Sequence, residues 1–257
     1  MRITYIGGPT ALVEIGGLRL LTDPTFDVAG GEYRAASYSL HKTQGPALAR
    51  AALGRIDVVL LSHDHHFDNL DTSGRAMLGE AGVVLTTRAG AQRLGTPAIG
   101  LAPWQMHDVA LPDGGTLRIT ATPARHGPDG GDRGPVVGFV LQRVGDAGGA
   151  VYVSGDTVWY DGVAEVARRF PVDVAVLNMG AAHVAVAGPS HLTFTADEGV
   201  EFARAFEQAT IVPLHYEGWA HFTESRREID AAFRAHALEH RLHWLAPGVA
   251  TAFAGAA

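Results

Sequence analysis

The chain contains no cysteine among its 257 residues. Disulfides and thiolate metal ligands are therefore excluded, and the composition fits a reducing compartment. Charge is sparse as well. Asp, Glu, Lys and Arg make up 18% of the sequence, which argues against a disordered or coiled-coil chain. The 20 Lys and Arg are outnumbered by 27 Asp and Glu, giving a net charge of −7. No Lys/Arg cluster offers a basic face, so nucleic-acid binding is disfavoured. Long apolar runs are missing too, since none reaches the roughly 18 residues that span a bilayer. The opening segment, Met1-Arg2-Ile3-Thr4-Tyr5-Ile6-Gly7-Gly8, goes straight into a strand pattern and a glycine turn. It lacks the charged start, apolar stretch and cleavage site of a secretory signal, and a cytoplasmic location is expected.

Hydrophobic residues are 47% of the chain, enough for a sizeable core. Short β-branched runs come first: Ile3–Ile6, Ala11–Ile15 and Leu18–Leu21, with Gly16-Gly17 as a hairpin turn. Residues 27–43 are polar and glycine-rich and read as one long loop carrying Tyr33, Tyr38, His41 and Lys42. Strands then alternate with helices. Val163, Val166, Ala167 and Phe170 recur at helical spacing before Pro171, and Thr195/Glu198 and Ser225/Glu228 are capping-box pairs. No linker-like stretch divides the chain. The expectation is a single α/β domain over 1–257, with two sheets and helices outside them.

One arrangement recurs four times: an apolar strand ends and a side chain able to bind metal follows. Val58-Val59-Leu60-Leu61 leads to Ser62-His63, Leu117–Ala121 leads to His126, Val151-Tyr152-Val153 leads to Asp156, and Ile211–Leu214 leads to His215. Ligand crevices of open α/β sheets lie at such carboxyl ends. A lone His after a strand is more often a hydrogen-bonded loop residue, and Ser-Gly-Asp-Thr is also good turn chemistry. The segment His63-Asp64-His65-His66-Phe67-Asp68 changes the balance, because three imidazoles and two carboxylates within six residues need something to gather them. Imidazole and carboxylate without thiolate suit zinc, manganese or iron.

These motifs resemble the metallo-β-lactamase superfamily, and more narrowly its ascorbate-6-phosphate lactonase-like and phospholipase-D-like branch. The resemblance runs from about residue 3 to 250. It rests on Ile6–Glu14 and Leu20-Leu21-Thr22-Asp23-Pro24 as the opening hairpin and on Asp57–His63 as the strand into the metal loop. Ala124-Arg125-His126-Gly127, Ser154-Gly155-Asp156-Thr157 and Val212-Pro213-Leu214-His215 resemble the three later ligand motifs, in the family's order. The resemblance implies a four-layer αβ/βα sandwich and one or two divalent ions, zinc first and manganese second. Asp156 would bridge the ions, His126 would complete the first site and His215 the second.

The first motif departs from the family pattern His-x-His-x-Asp-His. Counted from the strand end, His63 and His65 fit, but Phe67 and Asp68 then fall where Asp and His belong. Counted back from Asp68-Asn69-Leu70-Asp71, the ligands become Asp64, His66 and Asp68, with Asn69 in place of an imidazole. A one-residue bulge would keep His63, His66 and Asp68 and leave His65 spare. The implied metal set is therefore His63, Asp64, His66, Asp68, His126, Asp156 and His215, with Asp68 and His191 as catalytic candidates. His191 precedes the helix capped by Thr195 and is equally readable as a helix-entry surface residue. His221 and His183 are weaker pocket candidates.

The implied activity is hydrolysis of a small ester, lactone or phosphoester by metal-activated hydroxide. The competing reading, raised by the missing imidazole, is a metal-binding or regulatory module with little catalysis. A small-molecule substrate is expected, with self-association left open. Loop 27–43 would roof the pocket, with Lys42 as a point charge for an anionic group.

Overall fold

Two sheets face each other across the main core. The computed structural model describes residues 1–35, 37–130, 133–146 and 148–254. The first sheet runs, edge to edge, through Ala250–Ala252, Arg2–Gly7, Thr10–Ile15, Leu18–Thr22, Val58–Leu60, Val83–Thr87 and Ala98–Leu101. The second runs through Thr210–Leu214, Val172–Asn178, Ala150–Val153, Val137–Arg143, Thr116–Pro123 and Met106–Ala110.

Strand side chains alternate between two apolar environments. Val58 and Leu60 enter the inter-sheet core with Ile3, Val13, Leu117, Phe139 and Val174. Their neighbours Val59 and Leu61 turn the other way, onto Leu70, Met77 and Leu78. On the second sheet, Val140, Tyr152 and Ala175 face outward onto Val163, Val166, Phe202 and Phe233 of the covering helices. Both faces of each sheet are therefore buried, and helix, sheet, sheet and helix form four layers, as the resemblance implies. Each fully buried Val, Leu, Ile or Phe contributes roughly 1.5–3 kcal/mol, which is why strands this short stay in place.

The helix signals hold locally. Both expected capping boxes form, ahead of Ala196–Ala205 and Arg226–Ala235. The helix Asp161–Arg169 buries Val163 and Val166 and stops before Pro171. Residues 27–43 differ from the expected structureless loop. They contain a hairpin, Glu32–Arg34 paired with Ser39–His41, whose Tyr33 and Leu40 pack on Trp219. Three-residue strands are too short for alternation to be read from sequence.

Parallel pairing brings the carboxyl ends of the central strands to one edge of the sandwich. There the two sheets are tied together: Val137 N–H donates to Ser62 O at 3.1 Å and His215 N–H to Gly8 O at 2.9 Å. Gly155 permits the closest approach. Its φ is +59°, and a Cβ there would stand 2.6 Å from the Ser62 Cβ, so no larger residue lets Asp156 come alongside His63.

Candidate metal centre

All four strand-end positions and the rest of the His-rich loop meet at that edge. Ligand atoms of His63, His126 and Asp156 lie within 4.8 Å of one another, as do those of Asp68, Asp156 and His215. His66 completes the first group, because its Nδ1 is 3.0 Å from both His63 Nε2 and His126 Nε2. Asp156 joins the two groups. Its Oδ2 is 3.8 Å from His126 Nε2 and 3.7 Å from His215 Nε2, and it has no hydrogen-bond partner. Asn178 Nδ2 holds the other oxygen, Oδ1, at 2.8 Å.

The surrounding bonds decide which nitrogens carry lone pairs. His126 Nδ1 is 2.7 Å from Leu192 O, which can only accept, so the proton is on Nδ1 and Nε2 turns its lone pair to the cluster. At His63 the same outcome is relayed. When Asp23 is ionised, Ser62 Oγ donates its one proton to Asp23 Oδ2 at 2.8 Å, so at 2.9 Å it accepts from His63 Nδ1–H, leaving Nε2 free. Asp23 also accepts from Ser62 N–H at 2.6 Å and from Asn69 Nδ2 at 3.2 Å, clasping both ends of the metal loop. His215 differs, since neither of its ring nitrogens has a hydrogen-bond partner.

Electrostatics follow from burial and crowding. Burial, with His66 and His126 close by, holds His63 well below the usual imidazole range. The same burial, with His126 beside it, pushes His66 down to about 2. Both rings are thus neutral and able to ligate at pH 7. Burial would push Asp68 up, but the His215 and His221 imidazoles, 3.4 and 3.0 Å from its Oδ2, outweigh it and hold the carboxyl well below its ordinary range. Burial would lower His215, and the nearby Asp156 and Asp68 carboxylates raise it instead. Burial and Asp156 together push Asp23 up to about 7.

A buried polar atom left unpaired costs about 1–3 kcal/mol. Asp68 Oδ1, Asp156 Oδ2, His215 Nε2 and Asn69 Oδ1 are all of this kind within one edge of the fold. A cation held between them would satisfy several at once, so the donor set fits one or two divalent ions.

Some expected residues are placed elsewhere. Asp64 is turned away from the cluster: Arg93 Nε donates to its Oδ2 at 2.8 Å and the Arg93 guanidinium engages both oxygens. Asn69 Nδ2 is committed to Asp23. His65 stands beside His63 and His66, with Nε2 donating to Arg133 O at 2.8 Å. His191 lies by the acids Glu198 and Glu224 and the ring of His183, and the cavity wall runs through its neighbour Leu192. Lys42 is buried in an ion pair with Asp71 at 2.7 Å and does not face the site.

A small cleft opens over the cluster, lined by His66, Asp68, His126 and His221 at its base. Leu40, Ala182, Val184 and Leu192 form apolar walls, and Tyr38 and Arg133 stand at its side. Tyr38 and Leu40 bring the 27–43 segment over the site. His221 Nε2 is 3.0 Å from Asp68 Oδ2, so of the weaker histidine candidates this one reaches the centre. Sequence reasoning missed Asp23, Asn178 and Arg133. Of these only Asp23 carried a signal, an acid trapped between a strand end and a proline.

Comparison with known proteins agrees with this fold. Residues 18–216 match the family described as the beta-lactamase superfamily domain. A UPF0173 metal-dependent hydrolase of Pelotomaculum thermopropionicum is 26% identical, over 96% of this chain and 98% of its own length. The isothiocyanate hydrolase from Delia radicum gut bacteria superposes with a TM-score of 0.83 at 23% identity, covering 98% of this chain and 99% of that one. A structure described as a possible metal-dependent hydrolase from Veillonella parvula gives 0.82 at 16% identity with the same coverage.

Proposed function

The chain belongs to the beta-lactamase superfamily, and we propose that it is a metal-dependent hydrolase of small molecules whose electrophilic carbon is an ester or lactone carbonyl. One observation carries this reading: the unpartnered Asp156 oxygen lies between His126 and His215, under a cavity with mainly apolar walls. Likeness to the lactonase-like branch supports the same substrate class. The phosphoester alternative loses support because Lys42, its expected anchor, is spent on Asp71.

A divalent ion bound here supplies hydroxide near neutral pH and polarises the bond to be cleaved. His63, His66 and His126 would hold one ion, and Asp68 and His215 a second, with Asp156 between them. Zinc suits the imidazole-rich first group best, and manganese is better tolerated by the second. Asp68 keeps Oδ1 free of partners while His221 holds Oδ2 at 3.0 Å, so it would orient the nucleophile. Leu40, Val184 and Leu192 exclude water from the leaving group.

A second reading is favoured by the same walls. An isothiocyanate is a small, uncharged electrophile, and the hydrolase that superposes on the full chain acts on that class. The deciding experiment measures metal content after purification without added metal, then screens lactones, aryl esters, phosphodiesters and isothiocyanates on metal-restored protein. Turnover of a lactone or ester that is abolished in Asp68→Ala supports the first reading. Turnover of isothiocyanates alone supports the second, and tight metal binding with no turnover leaves the regulatory module.

A further inference from the structure

Among the residues lining the cavity, Arg133 carries a fixed positive charge, and no carboxylate of the described residues is within ion-pair distance of it. Its guanidinium donates to Val186 O, its Nε is buried without a partner, and among the described residues it forms no ion pair. Its backbone is pinned at both ends: Arg133 N–H donates to His126 O at 2.8 Å, and Arg133 O accepts from His65 Nε2 at 2.8 Å. The guanidinium lies close enough to Tyr38, another wall residue, to oppose the upward push that burial gives the phenol. Other arginines near the site are occupied, Arg93 by the Asp64 carboxylate and Arg75 by the Asp64 carbonyl. A buried donor without an acceptor is costly, and an arginine fork matches a carboxylate in shape and charge.

Resting on the hydrolase reading above, we propose that Arg133 selects substrates with an anionic group at the far end from the scissile bond. The base of the cavity takes the electrophilic carbon, while Leu40, Ala182, Val184 and Leu192 take a short apolar spacer. The substrate class is thus an ester or lactone whose acyl part ends in a carboxylate or similar anion, and Arg133 is its specificity residue.

The test compares two aryl esters on the zinc-loaded protein, the 4-nitrophenyl monoester of glutarate and 4-nitrophenyl pentanoate, which differ in the terminal carboxylate. The ratio of their kcat/KM values should favour the glutarate ester. In Arg133→Gln that ratio should fall about ten-fold or more, through KM, and Arg133→Lys should recover part of it. A ratio unchanged in Arg133→Gln, or one that favours pentanoate in the unaltered protein, overturns the assignment. If neither ester turns over, the ester reading fails on its own, and calorimetric binding of glutaramate and pentanamide still decides about Arg133. Glutaramate should bind more tightly than pentanamide, and that preference should disappear in Arg133→Gln. A preference that survives the substitution means the carboxylate is held by the metal alone, and no preference at all likewise refutes the role.

Discussion

Replacing Asp23 with asparagine changes one atom, yet it should reverse the proton on His63. The side-chain oxygen facing Ser62 N–H must remain an acceptor, so the new amide nitrogen takes the place of Oδ2, beside Ser62 Oγ. Ser62 Oγ would then accept from that amide and donate to His63 Nδ1. This puts the ring proton on Nε2, the nitrogen aimed at His66 and His126. A metal could bind only after this chain is broken. Loss of such an outer partner typically costs 10–100-fold in metal affinity, or about 1.4–2.7 kcal/mol. The assay is competition for zinc against a chromophoric chelator at about pH 8, above the value of about 7 to which burial and Asp156 push Asp23. Nitrogen NMR of the metal-free protein reads the tautomer independently. A folded Asp23→Asn variant with zinc affinity within about three-fold of the parent would refute the relay.

Four further outcomes follow from the same geometry. His63→Ala and His66→Ala should each lose more zinc than His65→Ala, because His63 and His66 meet His126 in the cluster, whereas His65 groups only with those two; metal analysis of the three proteins checks this. Zinc titration should show one tight and one exchangeable ion, since His63 and His126 have outer hydrogen-bond partners and His215 has none; two equally tight sites in calorimetry would contradict it. Lys42→Met should destabilise by about 3 kcal/mol in urea unfolding, because the buried Asp71 carboxylate loses its counter-charge and keeps only the N–H donors of Phe26, Asp27 and Gly74. The metal-free protein should also lose stability as pH falls below the usual imidazole value of 6.5. His66 is lowered to about 2, so its contribution of about 1.4 kcal/mol per pH unit is present above 6.5 and lost towards 2. His63 and His65 are lowered too and add to the loss. Asp23, raised to about 7, acts in the opposite sense and offsets one of the three. Urea midpoints that rise on acidification would show the sign is wrong.

Strand ends and the candidate ligands that follow them were legible in the sequence because both are local. An apolar run followed by His or Asp needs no knowledge of the partner strand, and His126, Asp156 and His215 all arrive where that pattern puts them. The loop between His63 and Asp68 was harder, since two registers satisfied the same letters. The neighbours that discriminate are distant in sequence: Arg93 removes Asp64 from across 29 residues, and His126 selects His66 from across 60. Lys42 failed as an anchor for the same reason, as its partner Asp71 is also 29 residues away. Arg133 carried no motif, and only the folded cavity shows it without an ion pair among the described residues.

The candidate ligands divide evenly across the seam of the sandwich. His63, His66 and Asp68 follow a strand of the first sheet, whereas His126, Asp156 and His215 follow strands of the second. An ion at either position is therefore a rivet between two halves of the chain, and neither half can grip it fully. Metal affinity then measures how well the halves are docked. At a free ion concentration of about 100 times Kd, the rivet adds about 2.7 kcal/mol to the assembled state. Substitutions in the inter-sheet core, such as Phe139→Ala, should loosen the ion without touching a ligand, and chelation should expose the seam to proteases and hydrogen exchange before the outer helices respond.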